Sequence, residues 1–139
     1  MEKSMNKTIY ILQAPEEPIE DGKKFLIPES LRELLPNKLR LVRSALRLHG
    51  KNCLYVFTES EWEIFYNKLG ELPKDNYQAR KLMDFYLGSE YEADITDGEL
   101  FVPQSLLIYM DCEIASALYV SYAPEDMEHR NSDYLLWGN

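Results

Sequence analysis

Ile19-Glu20-Asp21-Gly22-Lys23-Lys24-Phe25-Leu26-Ile27-Pro28-Glu29-Ser30-Leu31 decides the reading of this chain, because a shortened copy returns as Ile95-Thr96-Asp97-Gly98-Glu99-Leu100-Phe101-Val102-Pro103-Gln104-Ser105-Leu106. Each copy reads as an Asp-Gly turn, a short β-branched and aromatic run, a proline that stops it, and a Ser-Leu that opens a helical turn. The residues after each copy also match. Lys38-Leu39-Arg40-Leu41-Val42-Arg43-Ser44-Ala45 corresponds to Ala117-Leu118-Tyr119-Val120-Ser121-Tyr122-Ala123, and Asn52-Cys53-Leu54-Tyr55-Val56-Phe57 to Ser132-Asp133-Tyr134-Leu135-Leu136-Trp137. Each unit is therefore predicted to run strand, helical turn, strand, long loop, strand. Matched features in one order argue for duplication over coincidence. The predicted single domain has a first unit at about 19–57, a helical hairpin at about 58–88 and a second unit at about 89–137.

With 139 residues, 45% of them hydrophobic, the chain can bury one core. No apolar run reaches the roughly 18 residues of a membrane helix, and Met1-Glu2-Lys3-Ser4 leads into no signal-peptide core. The expectation is a soluble cytoplasmic protein without membrane contact. Cys53 and Cys112 form no Cys-x-x-Cys pair, so free thiols in a reducing compartment are expected. Net charge is −9, unevenly spread. Residues 1–57 hold 10 Lys/Arg against 7 Asp/Glu, whereas residues 58–139 hold 5 against 17. An acidic whole argues against generic nucleic-acid binding but leaves room for one locally basic face.

Along the chain, Thr8-Ile9-Tyr10-Ile11-Leu12 is a strand candidate, and Ala14-Pro15-Glu16-Glu17-Pro18 a loop or extended lead-in. A short amphipathic helix is predicted over 28–35, then a strand over 38–45. Leu46-Arg47-Leu48-His49-Gly50-Lys51 reads as a basic loop, and Arg40, Arg43, Arg47, His49 and Lys51 concentrate the cations; a solvated hairpin is its bland reading. Thr58 and Glu61 have the spacing of a capping box. Trp62, Phe65, Tyr66 and Leu69 then form an apolar helical stripe, and a second helix over about 76–87 offers Leu82, Phe85 and Tyr86. Such stripes are more often core than cofactor site.

Glu90, Glu92 and Asp94 alternate in a predicted strand, so three carboxylates share a face. An acidic edge strand explains them as well as a metal or acid-base site would. His49 and His129 lack zinc-ligand spacing, and no phosphate loop or catalytic triad is present in the sequence. No cofactor, metal or enzymatic activity is expected. The segment 124–131, at the place of the first unit's basic loop, carries Glu125, Asp126 and Glu128 against one Arg130.

The order of parts resembles the MraZ family, relatives of the AbrB-type swapped-hairpin DNA-binding domains. The turn-strand-Pro unit is followed by Asn52-Cys53-Leu54-Tyr55-Val56-Phe57, Glu61-Trp62-Glu63, Lys68-Leu69, Leu72-Pro73, an Ala79-Arg80 helix, and a second unit closing on Trp137. The resemblance covers about 19–137 and implies an α+β fold: a small β-barrel of two duplicated units with an inserted helical hairpin outside. It further implies homo-oligomeric rings that present repeated loops to tandem DNA repeats upstream of cell-division and cell-wall genes, hence a nucleoid-associated protein. In that family each unit carries an Asp-x-x-x-Arg signature whose Arg is taken to face DNA. Here Glu20 and Lys24 stand at those positions in the first copy, and Ile95 and Glu99 in the second. Lys24 serves a phosphate as a point charge, without the bidentate fork of Arg, while Glu99 would repel phosphate.

Two functions are compatible with these residues. One is a MraZ-type DNA-binding transcriptional regulator that uses Lys23 and Lys24, with Arg40, Arg43 and Arg47, on phosphates. The other is a degenerate paralogue that keeps the barrel and assembly surface and has become a protein-interaction or modulating partner.

Overall fold

The computed structural model describes residues 8–14, 21–123 and 131–138. In chain order it contains β1 (Ile9–Gln13), β2 (Gly22–Leu26), α1 (Glu29–Arg32), β3 (Lys38–Leu48), β4 (Lys51–Phe57), α2 (Glu59–Gly70), α3 (Tyr77–Leu87), β5 (Tyr91–Thr96), β6 (Glu99–Pro103), α4 (Gln104–Tyr109), β7 (Ala117–Tyr122) and β8 (Tyr134–Trp137). The predicted α+β barrel is what forms. The eight described strands close, all antiparallel, in the order β1-β2-β6-β5-β3-β4-β8-β7.

That order is unchanged when β1, β2, β3 and β4 are exchanged with β5, β6, β7 and β8. The barrel therefore has a pseudo-two-fold axis through the β2·β6 pair and the β4·β8 pair. It also corrects the sequence-based start of the repeat. The first half begins at β1, whose pairing with β7 is the image of β5 with β3. The prolines after β1 give it the look of a separate lead-in.

The repeated signatures act as chain punctuation. Pro28 and Pro103, both extended, stand at the starts of α1 and α4. These short helices send Leu31, Leu106 and Leu107 into the barrel interior, where they meet Leu12, Phe25, Leu41, Leu54, Val102, Leu118 and Leu136. Each fully buried Leu or Phe is worth roughly 1.5–3 kcal/mol. Alternation sends the next residues outward, and three of the strands so exposed carry a second apolar layer. Val42, Tyr55, Phe57 and Leu135 are covered by Trp62, Phe65 and Leu69 of α2 and Tyr86 of α3. Ring centroids 5.0 Å apart stack Phe57 on Phe65, and Phe65 meets Tyr86 edge-on at 4.9 Å. The capping box forms as predicted: the Glu61 amide donates to Thr58 Oγ1, and the Thr58 amide donates to Glu61 Oε1. Tyr66, assigned to the stripe, is instead 53% exposed.

Other expectations change. α1 is one short turn rather than a helix over 28–35. The strand predicted over 38–45 continues to Leu48 through an irregularity between Arg43 and Arg47, so the basic loop shrinks to His49-Gly50. Both residues have positive φ, 54° and 75°, and Asp97-Gly98 between β5 and β6 has the same values. This is the type I′ pattern, whose twist suits a two-residue hairpin. Asp21-Gly22 is not its counterpart. Gly22 lies in β2 opposite Pro103, so close that a Cβ there would sit 2.2 Å from the Val102 carbonyl oxygen. β5 is no edge strand either, because barrel closure pairs it with both β3 and β6. Residues 124–130, with the acidic loop and His129, and Glu20 lie outside the described residues.

Candidate nucleic-acid interface

Lys23 and Lys24 are neighbours in sequence and opposites in space. Strand alternation sends Phe25 into the core and Lys23 with it; Lys23 is 6% exposed and its ammonium donates to the Ala115 carbonyl at 2.6 Å. Lys24 points out with Leu26. On the axial β2·β6 pair, Lys24 faces Phe101 and Leu26 faces Glu99, so Lys24 and Glu99 are outward diagonal neighbours astride the pseudo-two-fold. Among the described residues, no ion pair holds either one. Ile95, at the second copy's other motif position, packs partly against the interior.

Sequence reasoning missed Arg32. It ends α1 and lies exposed over the β5–β6 turn, where its Nη1 is 3.0 Å from the place a Cβ on Gly98 would take. The Ile27 amide donates to the Gly98 carbonyl at 2.9 Å, which fixes α1 against that turn. The second turn thus has Glu99 where its own cation would stand, and a cation supplied by the first half. Nothing local in the sequence signals this, because Arg32 and Gly98 meet only when β2 pairs with β6.

The remaining cations are differently employed. Arg40 is clamped by three carboxylates: Nε donates to Glu59 at 3.1 Å, Nη2 to Glu92 at 2.9 Å, and Nη1 to Glu90. Its side chain is 18% exposed and its guanidinium lies 5.6 Å from the Trp62 ring centroid. Partial burial opposes the charge, but Glu59 and Glu90 outweigh it and raise the pKa. Two of the three carboxylates considered for a metal or acid-base site, Glu90 and Glu92, are thus turned onto an arginine, while the third, Asp94, is exposed opposite Lys38. Among the described residues, no group of three His, Cys, Asp or Glu is placed to hold a metal.

Arg43 bridges α3, α4 and β3. Its Nη2 donates to the Phe85 carbonyl at 2.7 Å, and its guanidinium lies 4.4 Å from the Phe85 ring and 5.7 Å from the Tyr109 ring. The Tyr109 hydroxyl in turn donates to the Ser44 carbonyl at 2.6 Å, and burial raises its pKa. Arg47 is exposed at the end of β3 and, among the described residues, makes a long contact, 3.5 Å, to the Gly50 carbonyl. With Lys51, Asn52 and Asp111 it lines a shallow cavity of about 240 Å³. The five predicted DNA-binding side chains do not converge: Lys23 is inside, Arg40 and Arg43 are engaged by the protein itself, and Lys24 and Arg47 face solvent from separate strands.

No described helix is long and apolar enough to cross a membrane. No family model matches the chain. Individual relatives do. The transcriptional regulator MraZ of Clostridium tetani is 30% identical over 92 residues, 66% of this chain and 61% of the relative. That of Clostridium acetobutylicum is 33% identical over 87 residues, 62% of this chain and 58% of the relative. That of Clostridium beijerinckii is 32% identical over 91 residues, 65% of this chain and 61% of the relative. The chain therefore spans 58–61% of the length of these relatives. Repeated similarity to one protein type, on a barrel built from two interlocked halves, supports reading this chain as a divergent relative of the MraZ transcriptional regulators.

Proposed function

We propose that the protein is a MraZ-type transcriptional regulator that binds DNA as a homo-oligomer, at genes of cell division and cell-wall synthesis, and so works on the nucleoid. The relatives' description as transcriptional regulators supports this reading. The observation that carries it is Lys24, an exposed cation at the family's motif position on the pseudo-two-fold axis. Lys24 is the principal phosphate contact, Arg32 supplies the cation at the second turn in place of Glu99, and Arg47 adds a peripheral one. Lys23, Arg40 and Arg43 belong to the scaffold in this reading. Contact is of point-charge type and led by the first half.

The test is a mobility shift with the duplex upstream of the protein's own gene, at two salt concentrations. Wild type binds, and the log of its affinity falls linearly with log salt. Lys24→Glu weakens binding and lowers the slope by roughly 0.9 for each phosphate left without its cation, while Glu99→Lys strengthens binding and steepens the slope. Absence of binding at low salt ends the proposal and leaves the protein-interaction role.

A further inference from the structure

Phosphate contacts place a protein on a duplex and carry no base information, so a surface made only of point charges would hold DNA without choosing among sequences. Reading a base in the major groove takes a side chain with paired groups in fixed geometry. An arginine fork on the O6 and N7 of guanine is the commonest such pairing. The outward side chains of the axial β2·β6 pair are Lys24 and Leu26 on one strand and Glu99 and Phe101 on the other. None of them offers paired donors: Lys24 is a point charge, Leu26 and Phe101 are apolar, and Glu99 is an anion.

Arg32 does. Its guanidinium lies against the turn that leads into β6, with Nη1 3.0 Å, Cζ 3.3 Å and Nε 3.7 Å from the place a Cβ on Gly98 would take. A side chain at residue 98 would push the fork aside, so the glycine both adopts φ 75° and leaves room for the guanidinium. The backbone beneath Arg32 is held as well. The Ile27 amide donates to the Gly98 carbonyl at 2.9 Å, and Leu31, the residue before Arg32, is fully buried. Arg32 itself is exposed, and among the described residues no hydrogen bond or ion pair spends its donors. The other half has no counterpart. Counted from Pro28 and Pro103, Leu107 stands where Arg32 does and Lys23 where Gly98 does, and both are buried.

We infer that Arg32 is the specificity-determining residue of the DNA-binding surface: its fork takes the edge of a guanine in the major groove, while Lys24 holds a phosphate. This rests on the DNA-binding part of the proposed function and deepens it, separating the residue that reads sequence from the residue that supplies charge. Gly98 is a positioning residue, which keeps the fork against the turn.

The test compares the full chain's affinity for the duplex upstream of its own gene with that for a duplex of the same length and shuffled sequence, at two salt concentrations. Wild type prefers the upstream duplex. Arg32→Lys keeps the charge and removes the fork, so the ratio of the two affinities falls about tenfold with no change in salt slope. Gly98→Asn keeps a residue that tolerates positive φ and displaces the fork, so the ratio falls in the same way with Arg32 intact. Lys24→Ala weakens both duplexes alike and lowers the slope by about 0.9. Replacing guanine with 7-deazaguanine in the upstream duplex deletes the N7 acceptor, and it costs wild type more affinity than it costs Arg32→Lys. A wild type without preference, an Arg32→Lys protein that melts as wild type does and keeps the full ratio, or an equal 7-deazaguanine penalty in both overturns the inference and leaves the regulator reading in place. Failure to bind either duplex at low salt overturns both.

Discussion

Two seams of the barrel, β3·β5 and β1·β7, are images of one another in topology and unlike in chemistry. One holds Arg40 among Glu59, Glu90 and Glu92 beneath α2. The other holds Ile9, Ile11 and Tyr119 and stands open. The backbone pairing tolerates either solution, because outward side chains do not enter the barrel interior. What each seam carries is set by what covers it. The difference teaches that duplication fixed the strand order and released the outer surface to diverge.

The largest expected effect tests the axis on which both halves depend. Gly22→Ala places a methyl 2.2 Å from the Val102 carbonyl oxygen and 3.0 Å from the Pro103 Cα, backbone atoms that cannot step aside singly. A loss of about 3 kcal/mol or more in denaturant unfolding is expected, in the range of overpacking that strains backbone. Retention of wild-type stability would show that β2 and β6 can separate there at little cost.

Next comes the ionic seam itself. Arg40→Ala leaves three carboxylates facing one another and uncovers Trp62, and should lower stability by about 1–3 kcal/mol, less than a fully buried pair because Glu59 and Glu92 are largely exposed. Ile11→Ala on the open seam, measured on dilute monomer, should change it by less than about 0.5 kcal/mol. Equal destabilisation at the two sites would abolish the contrast between covered and open.

Smaller still is the cap that starts the covering helix. Burial raises the Glu61 pKa, and the carboxylate of Asp133 adds to the rise, against hydrogen bonds from the Thr58 and Asp133 amides. A carboxyl with raised folded pKa binds its proton more tightly folded than unfolded, so stability falls as pH rises from the ordinary Glu value of about 4.3 through the raised one. The stability of wild type relative to Glu61→Gln should therefore be higher at pH 4 than at pH 8. Urea midpoints at the two pH values would check it, and an unchanged difference would remove Glu61 as the source. Glu61→Ala, which deletes the cap as well, should cost about 1 kcal/mol, and more at pH 4 than at pH 8.

Much of this architecture is legible in the chain. The Pro28 and Pro103 stops, the capping box at Thr58 and the aromatic stripe of α2 are local features, spaced within a turn or two, and all three form, with Tyr66 the exception in the stripe. β1 reads as a strand but not as part of the repeat, because its partner β7 lies more than 100 residues away. The basic cluster misleads as a group for the same reason. Arg40 finds Glu59, Glu90 and Glu92 at separations of 19, 50 and 52 residues, so proximity of cations along the chain cannot tell an engaged arginine from an available one. Telling Lys23 from Lys24 requires knowing that Phe25 faces the interior.

By itself the sequence determined a duplicated unit, its punctuation and the family resemblance, because turns, strand stops and caps are decided by residues adjacent in the chain. Only the tertiary structure decided which cations remain available, that Arg32 stands at the second turn, and that one seam is covered while its image is bare. Those outcomes depend on closing the barrel, which brings charges and apolar side chains from distant segments within a few ångströms.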